Sequence, residues 1–83
     1  MSELTSTDKE ILTEFSTNFI QFIGFADDIA LTIIEIGYSL HQLRDIQRIF
    51  IKSKCNESYP RYFEGIKRAI KMLEEGYDYN KTR

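Results

Sequence analysis

The chain is poor in the residues that most often carry chemistry: its 83 residues include one cysteine, one histidine, one proline and no tryptophan. Because Cys55 has no second cysteine to pair with, an internal disulfide and a cysteine-based zinc site are both excluded. No uninterrupted apolar run approaches the roughly 20 residues of a membrane-spanning helix. Residues 1–5 also lack the basic and apolar stretches of a secretory signal. These absences predict a cytoplasmic protein without a membrane span.

Signals of an enzyme are also nearly absent. The sequence has no glycine-rich phosphate loop and no metal-ligand spacing. His41 follows Ser39 by two residues, but a serine that caps a helix is committed to the backbone, and no acid is placed to orient the histidine. Asp27 and Asp28 are explained by a helix N-terminus. We therefore predict that the protein is not an enzyme and has no catalytic residue, cofactor or metal.

What the chain does contain is enough hydrophobic residues for one small core. Hydrophobic residues make up 42% and charged residues 29%, which is typical of a globular chain and not of a disordered one. A domain of this size buries only about 60% of the surface that its unfolded chain exposes, so a partner would help to stabilise it. We expect one helical domain over residues 1–83 with a flexible tail at 77–83.

Apolar residues recur at helical spacing, which predicts an all-α bundle. Thr7 and Glu10 match a capping box at the start of the first helix, and Gly24 suits its end. Pro60 fits the first turn of the last helix, and residues 54–58 before it are predicted to be a loop. The four predicted helices cover residues of about 7–23, 27–36, 39–53 and 60–75.

The second of these helices is apolar on almost every side. Between residues 29 and 36 only Thr32 and Glu35 are polar. A helix of this kind is either buried all round or shares one face with another molecule, and the sequence leaves both alternatives open.

A tight corner at residues 37–39 joins the second predicted helix to the third. Asp27 or Asp28 caps the helix before the corner, and Gly37 ends it. Ser39 and Gln42 form a capping box that starts the helix after it. A buried helix, a short corner and a capped helix with exposed polar residues give the layout of a helix-turn-helix.

Charge is distributed unevenly along the chain. Residues 1–41 carry seven acids against Lys9, a net charge of −6, whereas residues 42–72 carry eight bases against three acids, a net of +5. The remaining residues, 73–83, sum to −1. One interpretation is a charged surface that steers the protein toward a partner. The other is that the two halves neutralise each other within the fold.

The leading hypothesis is a small intracellular regulator or inhibitor that docks a helical surface on a larger protein, with dimerisation as a further expectation. The apolar second helix, the uneven charge and a set of tyrosines favour it, since tyrosine is enriched at binding hot spots. Regulators of phage or plasmid type, anti-defence inhibitors and bacteriocin immunity proteins are comparable in size, although no motif selects among them. The tyrosines are Tyr59, Tyr62, Tyr77 and Tyr79.

The alternative is a DNA-binding transcription regulator that reads bases with the helix at 40–52. His41, Gln42, Arg44 and Asp45 would lie near the bases, and Arg48 and Lys52 near phosphates. The acidic chain and the lack of a second basic cluster count against it. Both hypotheses use the same outer face, so one set of residues is predicted to bind the partner: His41, Arg44, Arg48, Lys52, Arg61, Lys67 and Lys71.

The corner also resembles two known families. Residues 36–46, IGYSLHQLRDI, resemble the "LGFSLEEIREL" segment of mercury-resistance-type transcription regulators, which joins the DNA-reading winged helix to the dimerisation helix. That resemblance implies helical scaffolding or dimerisation and not DNA reading. Gly37-Tyr38 is similar to the "MGF/MGY" loop of ubiquitin-associated domains, and residues 68–73 resemble their last helix, but Ile36 stands where that family has methionine.

Overall fold

The computed structural model describes residues 4–19 and 24–77, and in these ranges the chain forms helices and no strand. The prediction of an all-α fold is therefore confirmed. Five helices lie in the described ranges, one more than the sequence predicts. They are α1 (Ser6–Asn18), α2 (Ala26–Ile36), α3 (Leu40–Ser53), the short α4 (Cys55–Ser58) and α5 (Pro60–Glu74).

The first helix begins at a different cap from the one predicted. The Thr5 hydroxyl accepts from the Asp8 N–H at 3.0 Å, and the Asp8 carboxylate accepts from the Thr5 N–H at 3.3 Å. The expectation of a Thr7 cap paired with Glu10 is wrong, because an aspartate three residues after Thr5 completes the same box as a glutamate would. Helix α1 ends at Asn18, whereas the sequence predicts a helix that continues to about residue 23. Residues 20–23 of that predicted helix lie outside the described residues.

The corner between α2 and α3 is built as the sequence predicts. Gly37 has a positive φ of 104°, a conformation that glycine adopts without a steric penalty, and its N–H bonds back to the carbonyl of Ile34 at 3.1 Å. Ser39 then caps α3, with its hydroxyl accepting from the Gln42 N–H at 3.1 Å. At the other end of α2, the Asp28 carboxylate accepts from the N–H of Phe25 at 3.0 Å.

The predicted loop at 54–58 is instead the single turn of α4, and this expectation is corrected. Lys54 adopts a left-handed conformation with φ of 64°, which ends α3 and lets the chain turn directly into another helical turn. The N–H of Tyr59 closes that turn on the carbonyl of Cys55 at 2.7 Å. Pro60 then occupies the first position of α5, as predicted.

Helices α2 and α5 pack with unusually close backbones. Gly65 of α5 is buried, and a Cβ at this position would lie 2.7 Å from the Cβ of Ile29 and 3.3 Å from the carbonyl oxygen of Ala26. Helix α3 packs on the same α5, and α1 packs on α3, so all four longer helices contribute to one core. The core residues are Phe15, Phe19, Ile29, Ala30, Ile33, Ile34, Leu43, Ile46, Phe50, Ile66, Ala69 and Ile70.

The chain remains part of the fold slightly beyond α5. After Glu74 the backbone turns through Gly76, whose φ is 86°, and the Tyr77 N–H bonds to the carbonyl of Met72 at 2.9 Å. Tyr77 is half-buried and packs against the core, and the flexible tail expected over 77–83 stays a prediction. The rest of the predicted tail, including Tyr79, lies outside the described residues.

Candidate interaction surfaces

The α3 outer surface consists of the polar side chains that α3 turns away from the core. His41, Arg44 and Arg48 are exposed there, and Asp45 and Lys52 are half-buried. Leu43, Ile46, Ile49 and Phe50 are buried on the opposite side, so the amphipathic pattern places these residues as the sequence predicts.

The cations of the α3 outer surface each have a carboxylate of the same chain beside them. Arg44 donates to the Glu74 carboxylate of α5 at 2.6 Å, and Arg48 donates to the Asp8 carboxylate of α1 at 3.3 Å. The Lys52 ammonium lies 3.6 Å from the other Asp8 oxygen. The α3 outer surface is thus close to neutral, which favours neutralisation within the fold as the explanation of the uneven charge.

Asp8 is the centre of this arrangement, because its side chain is buried and meets both cations. Burial by itself would raise the pKa of the Asp8 carboxyl, but hydrogen bonds from the Thr5 backbone N–H and from Arg48 outweigh it and hold the pKa below its ordinary value. The carboxylate therefore stays charged while it joins the start of α1 to the middle of α3. These cations stabilise the packing of two helices.

The three predicted binding residues on α5 are separated by the fold. Arg61 lies in the first turn and donates to the carbonyl of Gly24 at 2.7 Å. Lys67 pairs with Glu64 at 3.1 Å and lies 5.1 Å from the centre of the Phe63 ring. Lys71 is exposed and forms no ion pair within the described ranges. Lys67 and Lys71 share one face of α5, whereas Arg61 lies at the junction with α2.

A second surface, whose residues the sequence did not identify, is the α2 outer surface. It comprises Phe25, Asp28, Leu31, Glu35 and Ile36, which share the half of the helix that faces away from α5. Phe25 is 80% exposed, Leu31 41% and Ile36 47%. The opposite half of α2 is buried against α5.

The signal for this surface was present in the sequence. A helix that is apolar all round leaves two alternatives, complete burial or a face shared with another molecule. The structure excludes complete burial within this part of the chain, because only one half of α2 is covered. Hydrophobic pattern alone could not say which half of the helix α5 would cover.

An apolar cleft of about 490 Å³ lies between α1 and the α4–α5 junction. The aromatic rings of Phe15, Phe50 and Tyr62 form much of its wall, and the half-buried thiol of Cys55 also lines it. Its size and lining suit an apolar group. Its remaining lining residues are Leu12, Ser16, Phe19 and Tyr59.

Groups that could support chemistry are not brought together in the described parts of the chain. The Ser39 hydroxyl is occupied by the cap of α3, and the Nε2 of His41 lies 3.7 Å from the Asp45 carboxylate on a fully open surface. No cluster of three His, Cys, Asp or Glu side chains that could hold a metal is found in those parts. None of the described helices is long and apolar enough to cross a membrane.

No protein-family model, curated protein or solved structure matches the chain. Neither resemblance at the Gly37 corner is therefore supported by a family match.

Proposed function

We propose that this protein acts as a small regulator or inhibitor that binds another protein through the α2 outer surface. The observation that carries the proposal is the clustering of exposed hydrophobic side chains. Among the described residues five large hydrophobic side chains are exposed, and three of them, Phe25, Leu31 and Ile36, belong to α2 and its cap. Single exposed hydrophobic residues are ordinary, but a cluster on one side of one helix is typical of an interaction site.

The geometry of α2 makes this cluster a usable docking face. Phe25 and Ile36 are eleven residues apart, so they lie on the same side of the helix at its two ends, about 16 Å from each other. Leu31 borders the same half from the other side. Burying one such side chain fully contributes about 1.5–3 kcal/mol. Because association has its own entropic cost, three partly exposed side chains support a reversible complex and not a permanent one.

The alternative of DNA binding through α3 receives less support. Arg44, Arg48 and Lys52 would have to exchange their carboxylate partners on this chain for phosphates, and the chain as a whole carries a net charge of −2. The predicted set of binding residues remains a candidate for secondary contacts. Within that set, Lys67 and Lys71 share one face of α5.

We place this activity in the cytoplasm. Cys55 is free and is the one cysteine of the sequence, which suits a reducing compartment. A regulator of phage or plasmid type, an anti-defence inhibitor or an immunity protein would each act there by occupying a surface of a larger protein.

Site-specific photo-crosslinking tests the proposal. A benzophenone amino acid is incorporated at Ile36, and in a matched protein at Ile51, which is 55% exposed but lies on α3. Irradiation in cells that naturally carry the gene is expected to attach a distinct protein to position 36 and not to position 51. Equal products from both positions, or none from either, would contradict a docking role for α2.

A second measurement addresses the DNA alternative directly. Anisotropy of a labelled random duplex, titrated with the protein at low salt, is expected to show no binding, because non-specific DNA affinity is strongest under that condition. Binding that weakens steeply with added salt and is lost in Arg44→Glu/Arg48→Glu would instead make α3 a DNA-binding helix. That result would replace the present proposal.

A further inference from the structure

We infer that the α2 outer surface binds a basic amphipathic helix of another protein, and not a second copy of this chain. The inference rests on the proposed function, since it assumes that this surface docks a protein. It goes further by naming the chemistry of the partner from the charges around the hydrophobic cluster.

The charged residues of α2 are all acidic. From Glu10 to Leu40 the sequence contains no lysine, arginine or histidine, so α2 carries Asp27, Asp28 and Glu35 without any base. Arg68 of α5 pairs with Asp27 and compensates that charge. Asp28 and Glu35 remain exposed, and neither forms an ion pair within the described ranges.

These two acids lie on the outer half of the helix between the hydrophobic side chains, with Leu31 on one side of them and Ile36 on the other. Asp28 lies one turn from Leu31, and Glu35 follows Leu31 by four residues and directly precedes Ile36. A partner that covers the hydrophobic cluster must therefore place something beside both carboxylates. Lysine and arginine suit that position, because their long stems can lie along the apolar surface while their charges reach the acids.

A second copy of the chain does not meet this requirement. In an antiparallel pairing of two α2 helices about their middle, Asp28 of one copy approaches Glu35 of the other. In a parallel pairing, each acid approaches its own equivalent. Like charges are then brought together with no base on either helix to offset them, which disfavours the complex.

The size of the surface points to a short helical segment. Helix α2 has 11 residues and is therefore about 16 Å long, or three turns. A helix that presents apolar residues at positions i, i+4, i+7 and i+11 would span that length and cover Phe25, Leu31 and Ile36. The covered area is smaller than the roughly 800 Å² per partner of a stable complex, so the affinity should be moderate.

Two synthetic peptides test the inference. Both carry the same leucine stripe at helical spacing, which lysines flank in one peptide and glutamates in the other. Fluorescence anisotropy with the full chain is expected to show the lysine peptide binding about tenfold more tightly than the glutamate peptide at physiological salt. The reason is that lysines attract the carboxylates of Asp28 and Glu35, whereas glutamates repel them. Equal affinities for the two peptides would overturn the inference.

Matched variants show whether the binding uses the α2 outer surface. Glu35→Lys is expected to weaken the lysine peptide severalfold, whereas Glu10→Lys, which makes the same charge change on exposed α1, should leave it unchanged. Ile36→Lys should abolish binding and Ile51→Lys should not. If Glu10→Lys weakens binding as much as Glu35→Lys, the affinity of the peptide depends only on the net charge of the protein, and the inference is wrong.

Sedimentation analysis tests whether a second copy of the chain occupies the α2 outer surface. The free protein is expected to be a monomer at micromolar concentration, and a dimer that Ile36→Lys dissociates would assign the surface to a second copy. The inference and the proposed function can fail separately. A protein crosslinked at position 36 together with no preference for the lysine peptide would keep the proposed function and reject the basic partner.

Discussion

Helices α2 and α3 are neighbours in sequence and both pack one side on α5, but their outer sides differ. On the α3 outer surface, Arg44, Arg48 and Lys52 meet carboxylates from α1 and α5 and so hold other helices in place. On the α2 outer surface, the exposed hydrophobic side chains have no such role within the described ranges. A charged surface can thus serve the fold, while the apolar α2 outer surface is the one that we propose for a partner.

The sequence alone favours the outer face of α3 as the binding surface, whereas the structure favours the outer face of α2. The basic face of α3 is predicted as a binding site because its charges are concentrated in one segment of the sequence. In the fold, however, acids from distant segments neutralise these charges. Helix α2 gives a less direct signal, because an apolar helix is either buried all round or shares one face with another molecule. The comparison predicts that changes on the inner side of α2 and on the outer side of α3 affect stability, whereas changes on the outer side of α2 affect binding.

The largest effect is expected on the inner side of α2, at its contact with α5. In Gly65→Ala the new methyl group would collide with the Ile29 side chain and make a tight contact with the carbonyl oxygen of Ala26. Overpacking of this kind costs about 1–3 kcal/mol, which exceeds the gain of up to about 1 kcal/mol that alanine brings to a helix. Urea unfolding should show a loss of stability.

Thr13→Ala on the exposed side of α1 is the control, because it changes helix propensity without a collision. A gain in stability for Gly65→Ala similar to that for Thr13→Ala would show that the helices are not in close contact.

The second-largest effect on stability is expected from the Asp8 carboxylate between α1 and α3. Because its pKa is lowered in the folded state, its contribution to stability is complete above the ordinary aspartate pKa of about 4 and is lost as the pH falls through the lower folded value. Asp8→Asn should therefore be less stable than the natural protein at pH 7, and the two should converge in acid. Thermal unfolding between pH 7 and pH 2.5 measures the difference, which would be constant with pH if folding did not lower the pKa of Asp8.

A smaller effect is expected for the pair of Arg44 and Glu74. Both side chains are about half exposed, and exposed ion pairs contribute about 0.2–1 kcal/mol even when the geometry is good. A double-mutant cycle with Arg44→Ala and Glu74→Ala should give a coupling in that range that decreases with added salt. A coupling of zero would mean that Arg44 is free to contact a partner.

Local signals in the sequence predict much of the fold. The glycine at 37, the serine cap at 39 and the proline at 60 each impose a conformation through their own chemistry, and all three act as expected. The cap of α1 was misplaced because two overlapping threonine boxes, at 5 and at 7, compete for the same helix start. The turn of α4 was missed because its start depends on Lys54 adopting a left-handed conformation that lysine rarely favours.

The candidate surfaces were harder to predict, since they depend on which segments meet. The pairing of Asp8 with Arg48 joins residues 40 positions apart, and no local pattern indicates it. The exposure of Ile36 likewise follows from the position of α5 and not from residues near it in sequence. Periodicity gives the faces of each helix, and only tertiary packing decides which face remains open.

The smallest effect on stability is expected from changing the α2 outer surface itself. Ile36→Lys and Ile51→Lys replace similarly exposed isoleucines in the last turn of their helices, where a positive charge is favourable. Both should unfold within about 0.5 kcal/mol of the natural protein, because neither side chain is part of the core. If Ile36→Lys were far less stable than Ile51→Lys, Ile36 would be part of the folded core, and a loss of binding in that variant could not be assigned to the surface. Equal stability together with unequal binding would separate the two roles of α2, with the inner side holding the fold and the outer side holding the partner.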